Sequence, residues 1–169
     1  VANRFYAFVD LLSTSGTLLN LDDKTVVLDA LKKSSTACLP EIRGWSLDLV
    51  AGTGEQTVTS SLITGGRVFW NTHRALAPES GVCNANLGAA RGYSADLFCG
   101  SNFSVPYSCG GLPISPVSGT TTRQDNNTVV TVCIGCAQEG KDNPFAPGQI
   151  KPKITPTRSR LYWYRPGDK

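Results

Sequence analysis

Methionine is missing from all 169 residues, histidine occurs once (His73), and charged side chains make up only 17% of the chain. Each shortage narrows the field. With one histidine, a zinc site would have to draw on cysteines. Only Cys133 and Cys136 stand close together, and a second close pair of ligands is missing. A charged share this far below the usual value of about 25%, with abundant Gly, Thr, Ser and Pro, suits a β-rich protein better than a helical bundle. The net charge of +3 is weak. The basic cluster Lys151, Lys153, Arg158 and Arg160 is spread through a Pro-containing stretch rather than along a stripe, so nucleic acid is not an expected partner. No run reaches the roughly 18 apolar residues of a membrane span, and no signal peptide is recognisable. With Val1 directly before a strand-like segment, the chain is expected to be a mature product or a piece of something longer.

Cysteine, by contrast, is plentiful. Six residues, Cys38, Cys83, Cys99, Cys109, Cys133 and Cys136, are candidates for disulfides formed outside a reducing cytosol, with the pairing left open. Free buried thiols and zinc are the alternatives. A redox-active Cys-x-x-Cys sits at a helix N-terminus, whereas Cys133 ends a β-like run, which argues against catalysis by this pair.

Alternation with period two dominates the rest. Trp45, Leu47 and Leu49 alternate with Ser46 and Asp48, and Tyr93, Ala95 and Leu97 with Ser94 and Asp96, as in half-buried antiparallel strands. Arg4 to Asp10, Arg67 to Thr72, Thr128 to Cys133 and Arg158 to Arg165 are rich in β-branched or aromatic residues and also predict strands. Gly65-Gly66, Gly100-Ser101, Gly110-Gly111 and Gly119 mark turns. One short helix is predicted over residues 24–33, capped by Asp22 or Asp23, with Val27, Leu28 and Leu31 on one face. Gln138 to Thr157, with four prolines, predicts an extended loop. Gly44 to Phe98 reads as strand, turn, strand, Gly-Gly turn, strand, loop, strand: the grammar of one four-stranded propeller blade. At a pitch of about 40–50 residues the chain holds roughly three to four blades, at or below the minimum for a closed ring. The expected fold is all-β, an incomplete propeller closed by residues of another part of the protein.

The search for chemistry is mostly negative. A triad could be drawn through His73, but no Gly-x-Ser-x-Gly elbow accompanies it, so His73 is expected to be structural. Glu41, Glu55, Glu79 and Glu139 fall in turns or loops without evident partners and are expected to be solvated. Asp22-Asp23, Asp125-Asn126-Asn127 and Asp142-Asn143 lack the rhythm of a calcium loop and predict turns or caps. The Gly/Pro-rich stretch from Gly100 to Gly119 has no following P-loop lysine. Phe5-Tyr6-Phe8, Phe69-Trp70 and Tyr162-Trp163-Tyr164 are expected in the core rather than on a sugar-stacking surface. No catalytic, cofactor or metal residue is assigned, and the chain is expected not to be an enzyme.

An ordered set of motifs adds a further expectation. Asn3 to Asp10 (NRFYAFVD), Gly44 to Leu49 (GWSLDL), Gly54-Glu55, Gly65 to Thr72 (GGRVFWNT), Cys83 to Tyr93 (CNANLGAARGY), Gly110 to Val117 (GGLPISPV), Cys133 to Cys136 (CIGC) and Arg160 to Arg165 (RLYWYR) follow one another across nearly the whole chain. In this order they resemble the C-terminal propeller of the type IV pilus tip adhesin and biogenesis family, the PilC/PilY group. The resemblance implies that residues 1–169 are the C-terminal part of such a propeller. It implies a place outside the cell at the pilus tip, reached through the periplasm and associated with the outer membrane. The partners it implies are the remainder of the same adhesin, minor pilins, and a host or abiotic surface. It implies roles in pilus assembly, adhesion and twitching motility. The family's calcium loop precedes the NRFYAFVD-like strand and has no matching position here, so calcium is expected only elsewhere in a longer protein. The competing readings are a quinoprotein-like propeller dehydrogenase and a small secreted disulfide-rich binding module.

Overall fold

The computed structural model describes residues 3–8, 32–33, 44–77, 86–98, 100–108, 110–122 and 129–151. Its described residues are all-β: eleven strands in three separate sheets, none of which closes on itself, and no helix. The first sheet has the order β1 (Arg4–Phe8), β3 (Gly44–Asp48), β2 (Lys32–Lys33); β1 is antiparallel to β3 and β2 parallel to it. In the middle sheet, β4 (Gln56–Thr57) and β5 (Leu62–Thr64) both pair with β6 (Arg67–Arg74), followed by β7 (Ala89–Asp96) and β8 (Asn102–Pro106), all antiparallel. The third sheet is β9 (Val117–Thr122), β10 (Val129–Ile134) and β11 (Gly148–Ile150), with β10 central.

Alternation explains how the sheets stack. In β6 and β7, Val68, Trp70, Tyr93 and Ala95 point to one side and meet Trp45, Leu47 and Leu49 of the first sheet and the loop that follows it. Phe69 points to the other side and packs with Leu62, Cys133, Cys136 and Ile150 against the third sheet. The middle sheet is therefore covered on both faces, which is why Val68 through Thr72 form an unbroken buried run. The first core is aromatic. Trp70 lies between Phe5, at a centroid distance of 3.9 Å and 10° between planes, and Tyr93, at 5.1 Å and 9°. Trp45 tilts against this stack and donates its Nε1–H to the Leu97 carbonyl. Burying each such ring contributes roughly 4–6 kcal/mol before the entropy of ordering it.

Local chemistry makes the tight connections. Gly65 and Gly66 have φ of 59° and 77°, the two left-handed positions of a type I′ hairpin turn, between the paired Thr64 and Arg67.

Four expectations are revised. The predicted helix over 24–33 is not formed at its end: Lys32 and Lys33 are strand, gaining backbone partners on the open edge of β3. A helix this short needs packing to survive, and here an edge competes for its last residues; 24–31 lie outside the described residues. The expected blade from Gly44 to Phe98 loses its first strand, because β3 uses its apolar face to stack on the middle sheet and pairs at its edge with β1; β8 takes the fourth place instead. The single strand expected after the GTGE turn is broken into β4 and β5. At the break the Thr59 hydroxyl replaces a ladder partner, accepting from Asn71 N–H at 3.0 Å and donating to the Asn71 carbonyl at 3.3 Å. Finally, the loop expected from Gln138 contains β11, which adds to β10 between the prolines.

Candidate functional site

Glu55, read from sequence as a solvated loop acid, is almost completely buried, at 1% exposure. Gly52 and Gly54, with φ of 100° and 85°, tighten the turn that folds it back between the first and middle sheets. Its Oε1 accepts from the Thr72 hydroxyl at 2.5 Å and the Tyr93 hydroxyl at 2.7 Å; its Oε2 accepts from Ala51 N–H at 2.6 Å. Three donors converging on two oxygens is an acceptor-only arrangement that fits a carboxylate. The Tyr93 oxygen in turn accepts from Val50 N–H at 3.0 Å. Burial first, and the hydrogen bond to Glu55 second, raise the Tyr93 pKa and hold it as a neutral donor. Asn3 donates to the Glu55 carbonyl at 2.6 Å, and Arg74 donates to that of Ala51. With both carboxylate oxygens hydrogen-bonded and the side chain buried, this acid links the first and middle sheets.

A second buried node joins the middle and third sheets. Asn71 is fully buried. Its amide donates to the carbonyls of Ile114 and Gly135 at 2.7 and 2.8 Å, and its Oδ1 accepts from the Tyr107 hydroxyl at 2.9 Å. Burial pushes the Tyr107 pKa up to about 12. Gly135 lies inside the Cys-Ile-Gly-Cys turn, where Cys133 and Cys136 are joined by a disulfide with their Cα atoms 5.7 Å apart. Both cysteines are buried in the second core, so this disulfide secures the turn that Asn71 reads. Cys38, Cys83, Cys99 and Cys109 lie outside the described residues.

The other sequence candidates take structural places. His73 Nε2 lies 2.8 Å from the Leu87 carbonyl; a carbonyl only accepts, so that nitrogen carries the proton and fastens the loop before β7. Asn143 Oδ1 accepts from Phe145 N–H at 2.9 Å, an Asx turn as expected of Asp142-Asn143. Glu139 is exposed; Glu41, Glu79, Asp22-Asp23, Asp125 to Asn127 and Tyr162 to Tyr164 lie outside the described residues. Phe5, Phe69 and Trp70 are in the cores. Among the described residues no three His, Cys, Asp or Glu side chains come together, and no helix is long and apolar enough to cross a membrane.

Two clefts formed by described residues are open to solvent. One, of about 500 Å³, lies beside the first sheet and is lined by Asn3, Arg4, Tyr6, Leu49, Gln56 and Thr57; Arg4 there is paired to Asp48 at 2.6 Å on the exposed surface. The other, of about 540 Å³, lies between the middle and third sheets and includes Arg67, Phe103, Gln138, Gln149 and Lys151. Sequence reasoning pointed to neither, because each is assembled from residues far apart in the chain. Comparison with protein-family models, with curated proteins and with solved structures finds no match.

Proposed function

We propose that this chain is a non-enzymatic, adhesive and structural part of a type IV pilus tip protein, acting outside the cell as consecutive blades of a propeller whose ring is completed by the remainder of the same protein. One observation carries the reading: the three sheets stack face to face, with the middle one covered on both sides, as neighbouring blades do around a propeller axis. The third sheet extends the argument. By register, Val117, Val130, Val132 and Ile134 share the face turned away from the second core. Val117 and Ile134 there are 64% and 44% exposed, an apolar face of the kind a following blade covers. The motifs that resemble the pilus-tip family fall largely on the stacked strands β1, β3, β6 and β7. Minor pilins and a host or abiotic surface are the partners this reading carries.

The test is localisation in the source cells. Antibodies to this chain are expected to label pilus tips by electron microscopy, and the labelled protein to co-purify with pilins as part of a chain longer than 169 residues. Labelling of the cell body with no pilin in the purified material would refute the proposal.

A further inference from the structure

The cleft between the middle and third sheets has the size of a small-ligand pocket, about 540 Å³ against a usual range of roughly 300–1,000 Å³. Its chemistry is set by a cation held in place before any ligand arrives. Arg67 Nε donates to the buried Ser94 hydroxyl at 2.7 Å, and the guanidinium carbon sits 5.3 Å from the centre of the Phe103 ring. These contacts fix the plane of the fork, which is what lets arginine recognise a planar anion. Arg67 is half-buried, and its pKa is lowered because the desolvation of its charge outweighs the attraction of Asp96. Negative charge entering the cleft would complete that compensation.

Neutral hydrogen-bonding groups complete the lining. A Cβ on Gly148 would fall 1.2 Å from the Gln138 side-chain nitrogen, so the Gln138 amide lies directly over the Gly148 backbone in space only glycine leaves. Lys151 adds a second cation to the lining, whereas Gln149, paired with Val132, turns its side chain to the outer face of the third sheet. The one acid in the lining, Glu139, is exposed.

We infer that this cleft binds a carboxylate-bearing small ligand, the carboxylate meeting Arg67 and the uncharged polar part of the molecule meeting Gln138. Acidic sugars and the C-terminal ends of peptides share this chemistry. The inference does not rest on the pilus reading, since it uses only the cleft: carboxylate binding without pilus localisation would leave it standing, and the reverse result would overturn it alone.

The experiment titrates the isotopically labelled full chain with glucuronate and with N-acetyl-glycyl-glycine, each beside its neutral amide. NMR follows the Arg67 Nε–H and the side-chain amide of Gln138. At least one carboxylate is expected to shift these signals to saturation, with its amide about tenfold weaker or more; which arm responds identifies the ligand source. R67Q is expected to lose binding by about tenfold or more. Because Arg67 also holds Ser94 and Phe103, a second variant that leaves those contacts alone is needed: E139Q removes like charge at the rim and is expected to tighten binding about twofold at low salt. Silence of these signals with both carboxylates, equal binding of acid and amide, unchanged binding in a folded R67Q, or weaker binding in E139Q would each overturn the inference.

Discussion

Removing the Glu55 side chain should be among the most destabilising single changes available to this fold. In Glu55→Ala, the Thr72 hydroxyl, the Tyr93 hydroxyl and the Ala51 N–H all lose their acceptor at a buried position. A hydrogen bond to a charged group contributes about 1.5–3 kcal/mol, and a buried donor left unmatched costs about 1–3 kcal/mol. The sum overshoots, because the variant no longer has a carboxylate to desolvate, so the expected net loss is about 3–5 kcal/mol. At about 2–4 °C per kcal/mol for a chain of this size, the midpoint of thermal unfolding should fall by at least about 6 °C. Glu55→Gln separates charge from shape. Its amide can face the two hydroxyls, but the Tyr93 oxygen already accepts from Val50 N–H, so a smaller loss of about 1–2 kcal/mol is expected. Urea unfolding of the full chain, followed by tryptophan fluorescence, reads these losses, since Trp70 stacks on Tyr93. A Glu55/Tyr93→Phe double-mutant cycle should give a coupling of about 1.5–3 kcal/mol. A Glu55→Ala chain within about 0.5 kcal/mol of the parent, or a cycle with no coupling, would refute the view that this acid ties two sheets together.

Other expectations follow from the same geometry. Unfolded tyrosine ionises near pH 10, whereas Tyr107 stays neutral up to about 12. The native chain therefore keeps a proton the unfolded chain has lost, and stability should fall as pH rises through that interval; Tyr93 adds in the same direction. Urea midpoints from pH 8 to 11 check this, and Tyr107→Phe, though less stable at neutral pH, should show a shallower decline. Replacing both Cys133 and Cys136 by Ala opens a loop of sequence separation 3 and should cost about 2 kcal/mol by loop entropy, measured against the parent with and without reductant. Gly88→Ala places a methyl 2.4 Å from His73 Nε2 at a φ of +75°, so about 1–3 kcal/mol of stability should be lost; an unchanged unfolding midpoint would contradict the packing described. Ile134→Lys, on the exposed face of the third sheet, should leave the stability of this chain within about 0.5 kcal/mol; if a further blade covers that face, as proposed, recovery of the assembled protein from cells should fall.

Much of the strand content was legible because period-two alternation is a local signal. Trp45, Leu47 and Leu49 announced their buried face, and Tyr93 and Ala95 did the same. The opposite face was not legible. Ser94 and Asp96 look like solvent residues, yet they are 0% and 7% exposed, because a further sheet packs over that side. Pairing partners were also hidden. Consecutive strands usually pair, but β3 bonds to β1 and β2 and not to β4, and nothing in GWSLDL distinguishes an edge neighbour from a stacked one. Glu55 was misread for a related reason: its three donors come from the adjacent turn, β6 and β7, and only the register that places Thr72 and Tyr93 on one face brings them to it. Gly52 and Gly54 of the AGTGE turn were the local sign that the chain folds back there.

The arrangement of buried polar groups gives the fold its order of sheets. Apolar faces alone would let the three sheets slide or exchange partners, since one aliphatic surface packs against another in many ways. Glu55 and Asn71 remove that freedom, because each must meet specific donors or acceptors contributed by more than one element, and a slip by one residue would leave several of them unmatched. Glu55 faces the first sheet, and Asn71 the third. They approach the middle sheet from opposite sides through neighbouring residues, Thr72 and Asn71 itself, so alternation along a single strand fixes the position of both outer layers. A stack fixed in this way continues only if its last face is also covered. On the third sheet that face carries Val117 and Ile134 in the open and no comparable buried polar node among the described residues. If a further blade covers that face, as proposed, it would be held by apolar contact, and that junction would be the most separable of the stack.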